Sequence, residues 1–220
     1  MSKNLIIVGT GAFADVAKVY FEEYTEYRVA AFACDPQFKN TGTYAGLPLC
    51  EINELESQFP SDRYDIFVAV GYRKMNKIRQ EVYERIKAKG YTCATFVHPG
   101  VKIWPSTTLG ENVFVFEDNT IQPFTAIGNN TTLWSGNHVG HHAKIGAHTF
   151  ISSHVVISGA CEVGNNIFIG VNAALRDGVK IADETLIGAG ALIMQDTAAR
   201  SVYMPEGTEP RKVTSNRLGF

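Results

Sequence analysis

The 220-residue sequence is poor in charge, cysteine and tryptophan. It also has no apolar run long enough to cross a bilayer. Lysine and arginine number 20 against 22 acidic residues, a net charge of −2. So small an imbalance gives no electrostatic footprint for nucleic acid or for an anionic membrane surface. No nucleic-acid partner and no membrane insertion are expected. The four cysteines, Cys34, Cys50, Cys93 and Cys161, are scattered and form no Cys-x-x-Cys pair. That pattern argues against a disulfide framework and against a cysteine-based zinc site. Met1-Ser2-Lys3-Asn4 leads straight into a strand-like run, without the apolar stretch of a signal peptide. A cytoplasmic location is the expectation.

What the sequence has in abundance is a period. Every sixth residue from Val97 to Ile193 is valine, isoleucine or leucine, without a skip. Glycine often follows the aliphatic residue, as at Gly110, Gly128, Gly140, Gly146, Gly164, Gly170 and Gly188. A period of six is neither the 3.6 of an amphipathic helix nor the 2 of a flat strand. It suits one short strand plus a corner, repeated around a solenoid whose stacked coils bury an aliphatic column. Glycine and asparagine suit the corners, and Asn119, Asn129, Asn130, Asn137, Asn165, Asn166 and Asn172 are assigned there. The pattern resembles the hexapeptide-repeat left-handed β-helix, in which three units close one triangular coil. The left hand is what the resemblance implies.

Ahead of the repeat, apolar runs alternate with helical patterns. Leu5-Ile6-Ile7-Val8 reads as a buried parallel strand ending at Gly9-Thr10-Gly11. A helix is predicted from Ala12 to about Glu23, and a strand over 28–34 ending at Asp35-Pro36. A short strand near Leu47, a short helix over 52–59 and a strand over 65–70 follow. Lys74 to Lys89 reads as a helix closed by Gly90, and 92–97 as a last strand. The predicted architecture is an α/β Rossmann-like domain (1–96), an all-β left-handed parallel β-helix (97–197), and a C-terminal tail (198–220) packed on its side.

Two constellations carry chemistry. Gly9-Thr10-Gly11-Ala12-Phe13-Ala14 is a loose dinucleotide fingerprint at a strand–helix turn, where glycines let backbone approach a phosphate. Asp35 lies at the spacing of a ribose-binding carboxylate, and Gly71-Tyr72-Arg73 ends another strand. A turn that needs glycine for geometry alone leaves the same signature. The second constellation is five histidines within seventeen residues: His138, His141, His142, His148 and His154. Histidine is the usual general base near neutral pH. His148 is expected to be exposed, and His138 and His154 to line a substrate site.

Val139-Gly140-His141-His142-Ala143-Lys144-Ile145-Gly146 resembles the catalytic stretch of the bacterial sugar acyltransferases. That family includes the bacillosamine- and perosamine-pathway N-acetyltransferases and the sialic-acid O-acetyltransferase. The resemblance covers essentially the whole chain. It implies a homotrimer using acetyl-CoA on a nucleotide-linked amino sugar during surface-glycan precursor synthesis, with His141 as base and no metal. Gly9, Thr10, Gly11, Asp35 and Gly71 would hold the nucleotide sugar. Gly159, Ala160, Gly170, Ala189, Gly190, Arg211 and Lys212 would meet the cofactor. The family's acidic neighbour of the base is replaced here by His142, and its second histidine falls at Phe150. Glu117 or Asp118 is expected to supply the missing acid. Phe114, Phe116, Phe124, Trp134 and Phe168 are expected on a flank that a neighbouring subunit buries. Two alternatives stand beside this reading. One is acetylation of a sugar hydroxyl, and the other is a zinc hydro-lyase resembling γ-class carbonic anhydrases.

Overall fold

The computed structural model of the protein describes residues 3–210, Lys212 and Arg217. Strand β1 (Lys3–Val8) is buried from Leu5 to Val8 and pairs in parallel with β2 (Tyr27–Cys34) and β5 (Tyr64–Val68). Strand β4 (Leu47–Glu51) extends the parallel sheet beyond β2, and the two-residue β3 (Thr43–Tyr44) closes that edge antiparallel. Helix α1 (Ala12–Tyr24) buries Ala14, Ala17 and Phe21, while α2 (Leu55–Gln58) is one short turn. Helix α3 (Lys77–Ala88) starts three residues later than its sequence pattern suggests. Lys74, Met75 and Asn76 take left-handed backbone angles, which no right-handed helix admits. Gly90, at φ +81°, closes the helix as predicted.

The strand expected over 92–97 does not form as one piece. Cys93 makes only an isolated bridge to Ile66, and Phe96–Val97 pairs with Phe114–Val115 as the first rung of the solenoid. From there the chain is a left-handed parallel β-helix with three flat faces. The docked face carries Phe96–Val97, Phe114–Val115, Thr132–Leu133, Phe150–Ile151, Phe168–Ile169, Leu186–Ile187 and Val202–Tyr203. The open face runs from Thr120–Ile121 through His138–Val139 and Val156–Ile157 to Leu192–Ile193. The charged face runs from Thr108–Leu109 through Lys144–Ile145 and Glu162–Val163 to Lys180–Ile181. Register is constant, so that Leu109, Ile127, Ile145, Val163 and Ile181 stack in one column. The tail differs from expectation here. Val202–Tyr203 does not leave the solenoid but adds a further rung to the docked face, pairing with Leu186–Ile187.

The vertices explain the rest of the hexapeptide. Every sixth residue from Asn112 to Gly190 has positive φ. Asparagine, aspartate and histidine tolerate this conformation better than other non-glycine residues. Asn112, Asn130, His142, His148, His154, Asn166 and Asn172 all occupy it. Asn119, Asn129, Asn137 and Asn165 do not; their side chains cap backbone groups of their own or adjoining coils. The glycines after the aliphatic residues serve close approach rather than positive φ. A Cβ on Gly140 would stand 2.5 Å from the Gly159 nitrogen of the next coil.

The α/β domain sits on the docked face. Phe13, Tyr20 and Phe21 of α1 interlock with Phe96, Phe114 and Phe116, and Phe116 stacks on Trp134 at 4.4 Å. Tyr72 packs against Phe150 and Phe168. The aromatic flank expected to await a neighbouring subunit is therefore covered by the chain's own first domain. Only Phe124, on another vertex, stays exposed, at 59%. The domains are further tied by polar groups. Asn112 Oδ1 accepts from Val68 N at 2.7 Å, and buried Arg79 donates to the Thr149 carbonyl at 3.1 Å. With no acid beside it, burial alone pulls the Arg79 guanidinium down to about 9. Among the described residues no helix is long and apolar enough to cross a membrane.

Candidate active site

Two features separated by the solenoid make up the candidate site. The first is a cleft of about 450 Å³ at the C-terminal ends of the α/β strands. Its lining includes Gly9, Thr10, Gly11, Asp35, Gly71 and Arg73. The crest of a parallel sheet is where such folds hold ligands. Gly9 is required there: it sits at φ +136°, and a Cβ would stand 2.6 Å from the Ala69 carbonyl oxygen. Helix α1 begins at Gly11 without a side-chain cap, so its first N–H groups open on the cleft. Asp35 lies on the rim, but one carboxylate oxygen already accepts from Arg85 Nη2 at 2.7 Å. Arg73 is exposed and has no ion-pair partner among the described residues. It therefore supplies a cation to the cleft that the uncapped helix end also lines.

The second feature is the vertex between the open and charged faces, opposite the docked face. His141 and His142 stand there, both exposed. Gln122, one coil earlier, accepts from the His141 backbone N–H at 2.8 Å. The two imidazoles meet edge to face, with Nδ1 to Nδ1 at 3.2 Å. Such a contact is a hydrogen bond only when one nitrogen carries a proton and the other does not. If His141 is the donor, its Nε2 lone pair is directed away from His142 and is free to accept a proton. The His142 ring is held in turn by Phe124, stacked at 4.8 Å with the planes 27° apart. Beneath His141 lies Gly159, whose missing side chain makes room for the ring. A Cβ there would be 2.8 Å from Cε1, 2.9 Å from Nε2 and 3.2 Å from Asp177 Oδ1.

The histidine cluster of the sequence is taken apart by the fold. His148 lies at the vertex between the charged and docked faces. It is half-buried rather than exposed, with Nδ1 2.9 Å from Asn130 Nδ2 and its ring against Tyr83. Burial, and then the charge of Arg79, push it below its ordinary value. His154 lies at the third vertex, over Gly136, and His138 on the open face between the His154 and His141 vertices. Left-handed corner geometry accounts for histidine at 142, 148 and 154 without any chemistry. Among the described residues no three His, Cys, Asp or Glu side chains are grouped to hold a metal ion.

Neither acid expected to orient His141 reaches its vertex. Glu117 and Asp118 belong to the same vertex as His154, and Glu117 accepts from Tyr20 at 2.8 Å and Ser135 at 2.5 Å. The carboxylate beside His141 is Asp177, which the sequence reading missed. The signal was one of arithmetic: with three hexapeptides to a coil, His141 aligns with Gly159 and then with Asp177. Of the expected cofactor residues, Gly159 and Ala160 lie under the histidine pair. Gly170, Ala189 and Gly190 lie at the vertex across the open face. Lys212 is exposed, and Arg211 lies outside the described residues.

Comparison with known proteins fits this geometry. Residues 4–86 match the family profile of the PglD N-terminal domain, and residues 117–159 match that of the bacterial transferase hexapeptide (six repeats). Perosamine N-acetyltransferase from Caulobacter crescentus has been solved, as a histidine-to-asparagine mutant, with CoA and GDP-perosamine. It is 26% identical over 93% of this chain and 95% of its own, with a TM-score of 0.81. The acetyltransferase domain of PglB from Neisseria gonorrhoeae FA1090, in complex with acetyl coenzyme A, is 22% identical over 96% of this chain and all of its own, at a TM-score of 0.81. WeeI from Acinetobacter baumannii AYE is 16% identical over 91% of this chain and 95% of its own, at 0.77. At those identities the last two speak to the fold alone. A PglD N-terminal domain is thus seated on bacterial transferase hexapeptide coils that carry an open histidine pair, and the chain is similar over nearly its whole length to the solved perosamine N-acetyltransferase.

Proposed function

We propose that the protein is an acetyl-CoA-dependent N-acetyltransferase acting on a nucleotide-linked amino sugar, with His141 as general base. The observation that carries this reading is the pairing of an open imidazole over Gly159 with a nucleotide-sized cleft at the crest of the first domain. The crystallised relative bound to CoA and GDP-perosamine supports the substrate class.

In this reading the acceptor amine attacks the thioester carbonyl carbon as a neutral nucleophile. A carbon–nitrogen bond forms, and the carbon–sulfur bond breaks as the tetrahedral intermediate collapses. His141 Nε2 takes the proton that nitrogen loses and returns it to the departing CoA thiolate, giving amide and free thiol. His142 replaces the family's acidic neighbour by accepting a hydrogen bond from the Nδ1–H of His141, which fixes the tautomer. In the cleft, the amides of Gly9, Thr10 and Gly11, the first turn of α1 and Arg73 would meet the diphosphate, and the free oxygen of Asp35 a ribose hydroxyl.

The reading also requires more than one copy. The cleft lies over the docked face, and His141 lies on the vertex opposite that face. A sugar held in one chain's cleft therefore faces the histidine pair of a different chain. A closed ring of three copies satisfies this requirement in the same way at every site. The open face offers Val156 and Leu192, 41% and 65% exposed, as apolar surface to bury. Acetyl-CoA would then run between neighbouring copies, past Gly159 and Ala160 of one and Gly170, Ala189 and Gly190 of the next. The place of such a reaction is surface-glycan precursor synthesis, in the cytoplasm.

The test is thiol release from acetyl-CoA by the purified protein. It would be run against GDP-perosamine and against UDP- and dTDP-linked 4-amino sugars, with hydroxyl sugars as controls. Amine-dependent release that His141→Ala lowers by roughly 100-fold or more, within the range of a lost general base, is the expected result. Release with hydroxyl sugars alone assigns O-acetylation instead, and full activity in His141→Ala removes the base assignment.

A further inference from the structure

The carboxylate of Asp177 has no part in the scheme above. It is exposed and has no hydrogen-bond or ion-pair partner among the described residues. It does not serve the coil, since the polar contacts of that vertex are made by other groups. The Arg176 carbonyl takes the Cys161 thiol at 3.2 Å, and the Gly178 N–H donates to the Gly159 carbonyl. Yet Asp177 is aimed at the site. The position of a Cβ on Gly159 lies 3.2 Å from Asp177 Oδ1 and 2.9 Å from His141 Nε2. Over Gly159 the His141 ring from one adjoining coil and the Asp177 carboxylate from the other converge on one exposed notch. The other charged or titratable groups at this vertex are His142, which faces Phe124, the buried Cys161 thiol, Arg176, which forms no ion pair with Asp177, and Asp196 on the next coil, whose Oδ1 accepts from the Lys180 backbone N–H.

We propose that Asp177 binds the acceptor's amino group as its ammonium ion and presents it to His141, so that the enzyme selects amines over hydroxyls. The inference rests on the acetyltransferase reading above and deepens it. An amino group on a sugar is more than half protonated at neutral pH, with a pKa of about 8 by analogy with an α-amino group. An ammonium ion cannot attack a thioester. It must be bound, lose one proton to solvent, and lose a second during C–N bond formation. A carboxylate beside the base draws the ammonium into the notch by charge and, as an acceptor, still takes an N–H of the neutral amine after the first proton leaves. The second proton goes to His141 Nε2 and on to the CoA thiolate. A hydroxyl acceptor carries no charge and gains only one ordinary hydrogen bond from the same group.

The experiment compares the wild-type enzyme with Asp177→Asn and Asp177→Glu on GDP-perosamine, or on whichever amino sugar of the panel releases most thiol. Acceptor and acetyl-CoA are varied separately, from pH 6.5 to 9.5. Expected is a rise in acceptor KM for Asp177→Asn of roughly 10- to 100-fold at neutral pH, the range for losing a hydrogen bond to a charged group. The penalty should shrink as pH passes the amine's own pKa, the KM for acetyl-CoA should stay within about twofold, and Asp177→Glu should restore part of the loss. An unchanged acceptor KM in Asp177→Asn, or a rise equal at every pH and matched for acetyl-CoA, overturns the role of Asp177 and leaves the acetyltransferase reading standing. Wild-type enzyme that transfers to no amine in the panel overturns both.

Discussion

Adding one methyl group at Gly159 tests whether the position of His141, and not merely its presence, governs turnover. A Cβ at residue 159 would lie 2.8 Å from His141 Cε1 and 2.9 Å from Nε2, where ordinary contacts begin near 3.4 Å. The imidazole must therefore retreat by about 0.6 Å, the gap between those contacts. Displacement of a reacting group by about 1 Å costs on the order of 100-fold, so Gly159→Ala should lower kcat about 10- to 100-fold. The fold should barely notice. Residue 159 is not in the left-handed region, and the atoms that the methyl group meets are the ends of two exposed side chains. A stability change within about 0.5 kcal/mol is expected, as for other substitutions that avoid the core. Gly140→Ala is the contrasting case. Its methyl group would stand 2.5 Å from the backbone nitrogen of Gly159 and 2.6 Å from the Ser158 carbonyl carbon, neither of which can swing aside. Overpacking of about 1–3 kcal/mol should lower its melting temperature. The assay is steady-state thiol release alongside thermal denaturation of both variants. A Gly159→Ala enzyme with wild-type kcat would refute the placement of the base, and one as unstable as Gly140→Ala would refute the claim that the neighbours yield.

Two further outcomes concern the scaffold. Asn112→Ala removes the side chain that caps both backbone groups of Val68, at 2.7 and 3.2 Å, and contacts Asn130 at 2.9 Å. Stranding those buried groups should cost about 2–4 kcal/mol in urea unfolding. Asn112→Gly, which suits the left-handed backbone, should recover little of it, and full recovery would show that φ rather than hydrogen bonding decides the site. The alkaline limit follows from the phenols. Burial raises Tyr83 and Tyr91 to about 12, and burial followed by hydrogen bonds to Glu117 and Asp15 does the same for Tyr20 and Tyr44. Their folded values lie above the unfolded one of about 10, so the stability they contribute is complete below pH 10 and is lost as pH rises towards 12. Urea midpoints should fall across that window, with the tyrosinate absorbance of these four rings rising together with unfolding. Ionisation of these four phenols well before unfolding, read as difference spectra against their Tyr→Phe variants, would contradict the burial of these rings.

The sequence by itself determined both architectures and their order. Leu5 to Val8 are apolar throughout, which a strand flanked on both faces requires, and they are wholly buried in the sheet. A single aliphatic residue every six from Val97 to Ile193 has no use in a helix or a flat sheet, so the triangular coil was legible without coordinates. His141 could be singled out as the member of a local motif, and the fold puts it on an open vertex. The fate of its neighbours was not legible. A step of six advances the chain by one face, so histidines 142, 148 and 154 look adjacent in sequence yet stand on three separate vertices. Residues a full coil apart look unrelated yet stack, which is how Gly159 and Asp177 come beneath His141. The aromatic run of Phe114, Phe116 and Trp134 was legible as a buried flank, but not its occupant. Apolar surface is non-directional, and it records that something covers it without recording what. Only tertiary structure decided that the first domain covers that face, and with it that the cleft and the histidine pair lie on opposite sides of the chain.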